Sequence, residues 1–207
     1  PGKTEDLVTG RNAVLESLRA QIPAKAAYIM VRIEADDRIR EIIKLCSKRG
    51  IPVLETTRPE LDRLTEDAVH QGIALQVPPY EYRGADELLD EAMDRWKGDR
   101  SGERAPLLVA LDGITDPRNL GAIMRSVSAF GGDGVLLPER RSTGLNATAW
   151  KTSAGAAARV PAAQATNLNR TIEHAKSRGY FVIGLDGGGS VELPGLSLAT
   201  EPLVILS

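Results

Sequence analysis

The chain has 207 residues, 42% hydrophobic and 26% charged, with a net charge of −2, one cysteine and two histidines. That balance belongs to a soluble globular chain of one large or two small domains, and it excludes a protein that coats nucleic acid by bulk positive charge, though not one with a local basic patch. The lone Cys46 excludes an internal disulfide and reads as a small buried hydrophobe; no metal-ligand cluster is visible, and no apolar run is long enough to cross a bilayer. No signal peptide stands out, the start at Pro1 suggests that an N-terminal segment is absent, and the reading is cytoplasmic.

In chain order, residues 1–79 read as a small α/β domain, 80–104 as a charged helical linker and 105–207 as a second α/β domain. The periodicity predicts a helix from Asp6 to Leu18, a strand over Ala27–Val31, a helix over Arg38–Arg49 closed by Gly50, a strand over Ile51–Glu55, a short helix over Arg58–Leu64 with Pro59 in its first turn, and a strand over Ile73–Val77. In the linker, Leu88, Leu89, Ala92, Met93 and Trp96 predict an amphipathic helix from Ala85 to Trp96. Beyond it, strands are expected near 107–111, 134–137, 159–163, 181–185 and 203–206, with helices near 117–130, 146–157 and 168–178. Alternation of this kind predicts a parallel, doubly wound sheet. The strand Leu203–Leu206 reaches nearly to the last residue, where a buried parallel strand calls for a loop and a covering helix; the expectation is a domain truncated within itself.

The most informative segment runs from Asp112 to Gly131. Asp116 suits an N-cap, Pro117 a first helical residue, and Gly131-Gly132 a stop. Leu120, Ile123, Met124 and Val127 share one helical face, while Asn119 and Arg125 lie off it. Two readings follow: an ordinary strand–helix unit with a solvated arginine, or polar chemistry delivered to the carboxyl edge of a sheet. A second segment, Leu145–Ala157, follows Arg140-Arg141; its small residues permit close helix packing, while Arg140, Arg141 and Lys151 could line a phosphate-binding face. A third, Gly184-Leu-Asp-Gly-Gly-Gly189, follows a strand but lacks the spacing of a dinucleotide fingerprint. His70-Gln-Gly72 reads as a tight turn, and Arg11, in Gly10-Arg-Asn12, could meet either a phosphate or solvent.

Gly10-Arg-Asn-Ala-Val14, His70-Gln-Gly72, the Asp112–Arg125 motif, Leu145-Asn-Ala-Thr-Ala149 with Ser153-Ala-Gly155, and Thr166-Asn-Leu168 occur in that order. Together they resemble the SpoU-type 23S rRNA guanosine-2'-O-methyltransferases of the SPOUT superfamily over nearly the whole chain. The resemblance implies a ribosomal-protein-L30e-like RNA-binding domain followed by the first part of a trefoil-knotted α/β catalytic domain. It implies S-adenosyl-L-methionine as methyl donor, a ribose 2'-hydroxyl as acceptor, and a homodimer with active sites near the dimer interface; composition, as above, gives no metal. By position, Asn119 and Arg125 match the family's first-motif asparagine and catalytic arginine, and Ser153 and Gly155 a second motif near the site. Leu185 and Gly187 match a loop that touches the donor. Arg11, Arg118, Arg140, Arg141, Lys151 and Ser153 are the expected RNA contacts. The family's later donor-binding loop is absent from these 207 residues. A tRNA or adenosine target, and an RNA-binding module without catalysis, stay open beside the 23S rRNA guanosine; a nucleotide-cofactor enzyme unrelated to RNA lacks a fingerprint.

Overall fold

A computed structural model describes residues 6–98, 104–189 and 200–207, and divides the chain into two compact units. One unit comprises Pro1–Tyr80 with Leu145–Gly155, the other Glu81–Gly144 with Ala156–Ser207.

The small unit is built on a four-stranded mixed sheet. Its strands are β1 (Asp6–Thr9), β2 (Ala26–Met30), β3 (Val53–Thr56) and β4 (Ile73–Val77), in the order β1-β4-β2-β3. Only the β2–β3 pair is parallel. Helices α1 (Arg11–Arg19) and α2 (Asp37–Arg49) bury Val14, Leu18, Ile39, Ile42 and Cys46 against Ala27, Ile73 and Leu75. A third helix, α3 (Arg58–Leu64), opens with a capping box in which Thr57 and Glu60 satisfy each other's backbone ends. Here the structure corrects the reading of one helix from Asp6 to Leu18. Gly10, at φ 92, breaks that segment, and the residues before it pair with β4 in antiparallel register. The apolar and β-branched run Leu7-Val8-Thr9 supplies that strand.

The larger unit carries an all-parallel sheet of six strands. They are β5 (Arg83–Gly84), β6 (Leu107–Ala110), β7 (Gly134–Pro138), β8 (Ala162–Ala165), β9 (Phe181–Gly184) and β10 (Leu203–Leu206), in the order β5-β8-β7-β6-β10-β9. The α/β class and the parallel sheet expected from the alternation are therefore present. Helices α4 (Ala85–Gly98) and α7 (Leu168–Arg178) bury Leu88, Leu89, Met93, Leu168 and Ile172 on Leu108, Leu136 and Val204. Tyr180 completes this layer: its buried hydroxyl donates to the Leu89 carbonyl at 2.8 Å. The segment read as a linker thus supplies a strand and a helix of this core. Helix α5 (Pro117–Ala129) packs against β7 and the 3₁₀ turn Ala156–Ala158. The helix expected over 146–157 is shorter: α6 (Ala147–Thr152) belongs to the small unit and ends before Ala154 and Gly155, both at positive φ. Two consecutive left-handed residues cannot continue a right-handed helix.

Candidate functional site

Because every strand of the six-stranded sheet is parallel, the loops after β6, β7 and β9, and Ser207 after β10, leave from one edge, where open α/β sheets place their ligands. Backbone bonds stitch these loops together. Asp112 donates to the Ser207 carbonyl at 2.8 Å, Leu185 to that of Leu206 at 2.8 Å, and Thr143 to that of Ile114 at 2.7 Å. The β6 loop then turns into α5. The Asp116 side chain accepts from the Arg118 amide at 2.8 Å, and Pro117 takes the first helical position, where its missing N–H costs nothing.

Arg125 lies further along α5 and is exposed; among the described residues neither an ion pair nor a side-chain hydrogen bond holds its guanidinium. It lines a cavity of about 700 Å³ together with Leu111, Ile123, Phe130, Leu185 and Ser207. Apart from Ser126 and Ser207 the rest of the wall is aliphatic and aromatic, and Phe130 and Leu185 are 79% and 47% exposed. The fold thus brings Arg125 and Leu185 to one cavity. Asn119 and Arg118 sit exposed in the first turn of α5 and Gly187 in the β9 loop, none of them on that wall. Arg140 and Arg141 are exposed just after β7, Arg141 at φ 63.

The remaining expected RNA contacts belong to the small unit. Lys151 pairs with Glu16 at 2.6 Å, which lowers the Glu16 carboxyl from its ordinary range. Ser153 is wholly buried and donates its hydroxyl to the Trp150 carbonyl at 2.7 Å, so it holds the end of α6 and presents nothing to a ligand outside. Arg11 pairs with Asp36 at 3.0 Å and donates through Nε to the Gln71 carbonyl at 3.3 Å.

A second cavity, which the sequence reading missed, lies in the small unit beside Arg11, Arg38, Arg58 and His70. These residues come from three helices and a loop, so no sequence window contains them; the available signals were His70-Gln-Gly72 and an arginine at or near each helix start. Among the described residues no group of three or more His, Cys, Asp or Glu could hold a metal ion, and no helix is long and apolar enough to cross a membrane.

Comparison with known proteins matches both units. Residues 7–83 match the family described as RNA 2'-O ribose methyltransferase substrate binding, and residues 106–206 the SpoU rRNA Methylase family. The chain is 53% identical over 201 residues to a protein of Mycobacterium avium (strain 104), and 51% identical over 207 residues to one of Mycobacterium ulcerans (strain Agy99). Both are described as an uncharacterized tRNA/rRNA methyltransferase. The matches take in 97% and 99% of this chain but 62% and 64% of those relatives, so the chain spans less than two thirds of their length. Among solved structures, an AdoMet-bound rRNA methyltransferase from Sinorhizobium meliloti superposes with a TM-score of 0.62 at 20% identity, covering 98% of this chain and 70% of that one. The SpoU methyltransferase AviRb from Streptomyces viridochromogenes, in complex with AdoMet, gives 0.62 at 18% identity, covering 98% and 72%. These likenesses are to the fold. With the family's substrate-binding model on the small unit and its methylase model on the parallel-sheet unit, the chain belongs to the SpoU rRNA methylase family.

Proposed function

We propose that the protein carrying this chain is an S-adenosyl-L-methionine-dependent methyltransferase acting on a ribose 2'-hydroxyl of RNA, with a guanosine of 23S rRNA as its target. The observation that carries the reading is the convergence of Arg125 and Leu185 on one cavity at the carboxyl edge, within the segment matched by the methylase family. What supports that cavity as the donor's is its volume of about 700 Å³, within the range of small-molecule sites, and a mainly apolar wall with a few polar groups, Arg125, Ser126 and Ser207, of the kind that suits an adenosine-class ligand. When bound, S-adenosyl-L-methionine supplies a methyl group already activated on a sulfonium.

The residues then have a positioning problem to solve, because displacement needs the attacking oxygen held in line. A guanidinium is always protonated and is a poor base, so Arg125 binds the substrate phosphate and polarises the 2'-hydroxyl by donating to its oxygen, and the hydroxyl proton leaves to solvent water as that oxygen is methylated. Asn119, in the first turn of the same helix and off that cavity wall, orients the ribose through its amide. Leu185 faces the donor from the cavity wall, and Gly187, two residues further along the same loop and off that wall, leaves the approach open, since a side chain there would meet nothing within 4 Å. Arg118, Arg140 and Arg141 at the sheet edge, and Arg11 in the small unit, bind phosphates. Lys151 joins them only by releasing Glu16, and Ser153 contributes packing. The reading includes a homodimer in the cytoplasm; what supports the dimer is Phe181, 51% exposed and outside the cavity wall, since apolar side chains at such exposure are commonly covered by a partner.

The test uses the full-length protein, tritiated S-adenosyl-L-methionine and deproteinised RNA from a strain lacking the gene. The expected result is one methylated guanosine in 23S rRNA, and a product in tRNA or at an adenosine would move the target accordingly. Arg125→Ala should lower kcat about 100-fold or more, the usual scale for removing a donor aimed at the reacting centre, and an unchanged rate would remove Arg125 from the mechanism. Failure of calorimetry to detect donor binding would leave an RNA-binding module without catalysis.

A further inference from the structure

The methylase family's match runs unbroken from residue 106 to 206, yet one stretch inside it, Leu145–Gly155, packs with the small unit. The residues on either side, up to Gly144 and from Ala156, stay in the parallel-sheet unit. Both feet of this stretch stand on α5 or on the loop that leads into it. Before it, Thr143 donates its amide to the Ile114 carbonyl, between β6 and α5, at 2.7 Å. After it, the 3₁₀ turn Ala156–Ala158 packs on α5.

In the small unit α6 lies against β1, with Ala149 and Trp150 buried and the Trp150 ring centroid 5.7 Å from that of Tyr80. The polar side chains of the stretch are spent nearby. Asn146 accepts the Ala149 amide, Thr152 donates to the Thr148 carbonyl and Ser153 to that of Trp150, while Lys151 reaches Glu16 on α1. Docked in this way, the stretch offers the sheet edge none of those groups.

The docking is weakly held. A helix of six residues is too short to stand by itself. The Lys151–Glu16 pair is about half exposed on both sides, and pairs so exposed stabilise little. Trp150 Nε1 is buried and, among the described residues, unpaired, so the docked state bears the desolvation of an N–H. Left-handed backbone flanks the stretch, Arg141 at φ 63 and Ala154 at φ 49; L side chains are strained there, and such residues gather at switch regions. We propose that Leu145–Gly155 is a releasable strap: latched to the small unit through Lys151 and Glu16 it holds the enzyme idle, and methyl transfer requires its release toward the edge that carries Arg125. The inference rests on the reading of the protein as an RNA methyltransferase and adds a self-inhibited state to it.

Hydrogen–deuterium exchange of the full-length protein, read on peptides covering 145–155, tests the latch without RNA or donor. Glu16→Gln should make these amides exchange about two- to fivefold faster, the scale of an exposed ion pair. Added salt should speed their exchange in wild type but not in Glu16→Gln, since only wild type has a pair to screen. Glu41→Gln, which breaks the comparably exposed Arg19–Glu41 pair between α1 and α2, should change nothing there. Exchange in Glu16→Gln equal to that of wild type, with circular dichroism showing native folding, would overturn the strap. Single-turnover methylation of deproteinised RNA, at saturating donor and RNA, tests the inhibition. Glu16→Gln should speed methyl transfer by the factor seen in exchange, and a rate equal to or below that of wild type would overturn self-inhibition. If wild type methylates RNA while Glu16→Gln alters neither exchange nor rate, the strap falls and the methyltransferase reading stands; if neither protein methylates RNA, both fall.

Discussion

His70 ties its loop to α3 through Nε2, 2.7 Å from Asp62, while Nδ1 accepts the amide of Gly72 in the loop itself at 2.9 Å, and Gly72 shows what that geometry demands. Gly72 has φ 83, and a Cβ there would lie 2.7 Å from Ile33 Cδ1. Gly50 has φ 66, and a Cβ there would meet nothing within 4 Å. Both positions carry the left-handed penalty of about 1–2 kcal/mol for an L side chain, but only Gly72 adds a contact that Ile33 must relieve. Gly72→Ala should therefore lower the melting temperature more than Gly50→Ala, and equal shifts in thermal denaturation would mean that Ile33 moves freely. Asp36 joins the α2 cap to two arginines at a single carboxylate. Its depressed carboxyl stabilises the fold above the ordinary carboxylate range, and that contribution is lost as the pH falls through the lowered value.

Among the elements, α5 shows what local chemistry can specify. Its start is written in adjacent residues, Asp116 and Pro117, and the structure uses both as the sequence predicts. Asp116→Ala should cost about 1 kcal/mol, the usual loss when a capping oxygen is removed, read as a lower melting temperature. The strands β6, β7, β9 and β10 were legible for the same reason: each is a short apolar run bounded by turns or loops. By contrast, β1 was not, because its four residues become a strand only by pairing with Ala74–Val77, far along the chain. The early end of α6 was equally hidden, since nothing in alanine's propensity announces the left-handed Ala154. At the sheet edge, Arg125 and Leu185 could be named from motifs, but their shared cavity depends on β10 lying between β6 and β9. The small unit's arginine cluster depends likewise on three helices brought together by tertiary packing.

Taken together, these 207 residues carry a net charge of −2, which supplies little net attraction for RNA at long range. The proposed RNA binding then depends on local arginines, whose contacts form after encounter. The salt dependence of RNA affinity should therefore lie mainly in the dissociation rate; an association rate that falls steeply with added salt in stopped-flow binding would show steering by a patch this charge count hides. Finally, α1 lacks a capping side chain at Gly10, and Gln71, sixty positions later, accepts the amide of its first residue. The opening helix is consequently finished by the segment entering β4, and a loop of that size closes late in folding. Gln71→Ala should speed unfolding while leaving the refolding rate nearly unchanged. During synthesis, this end of α1 would acquire its cap only after the residues entering β4 had emerged.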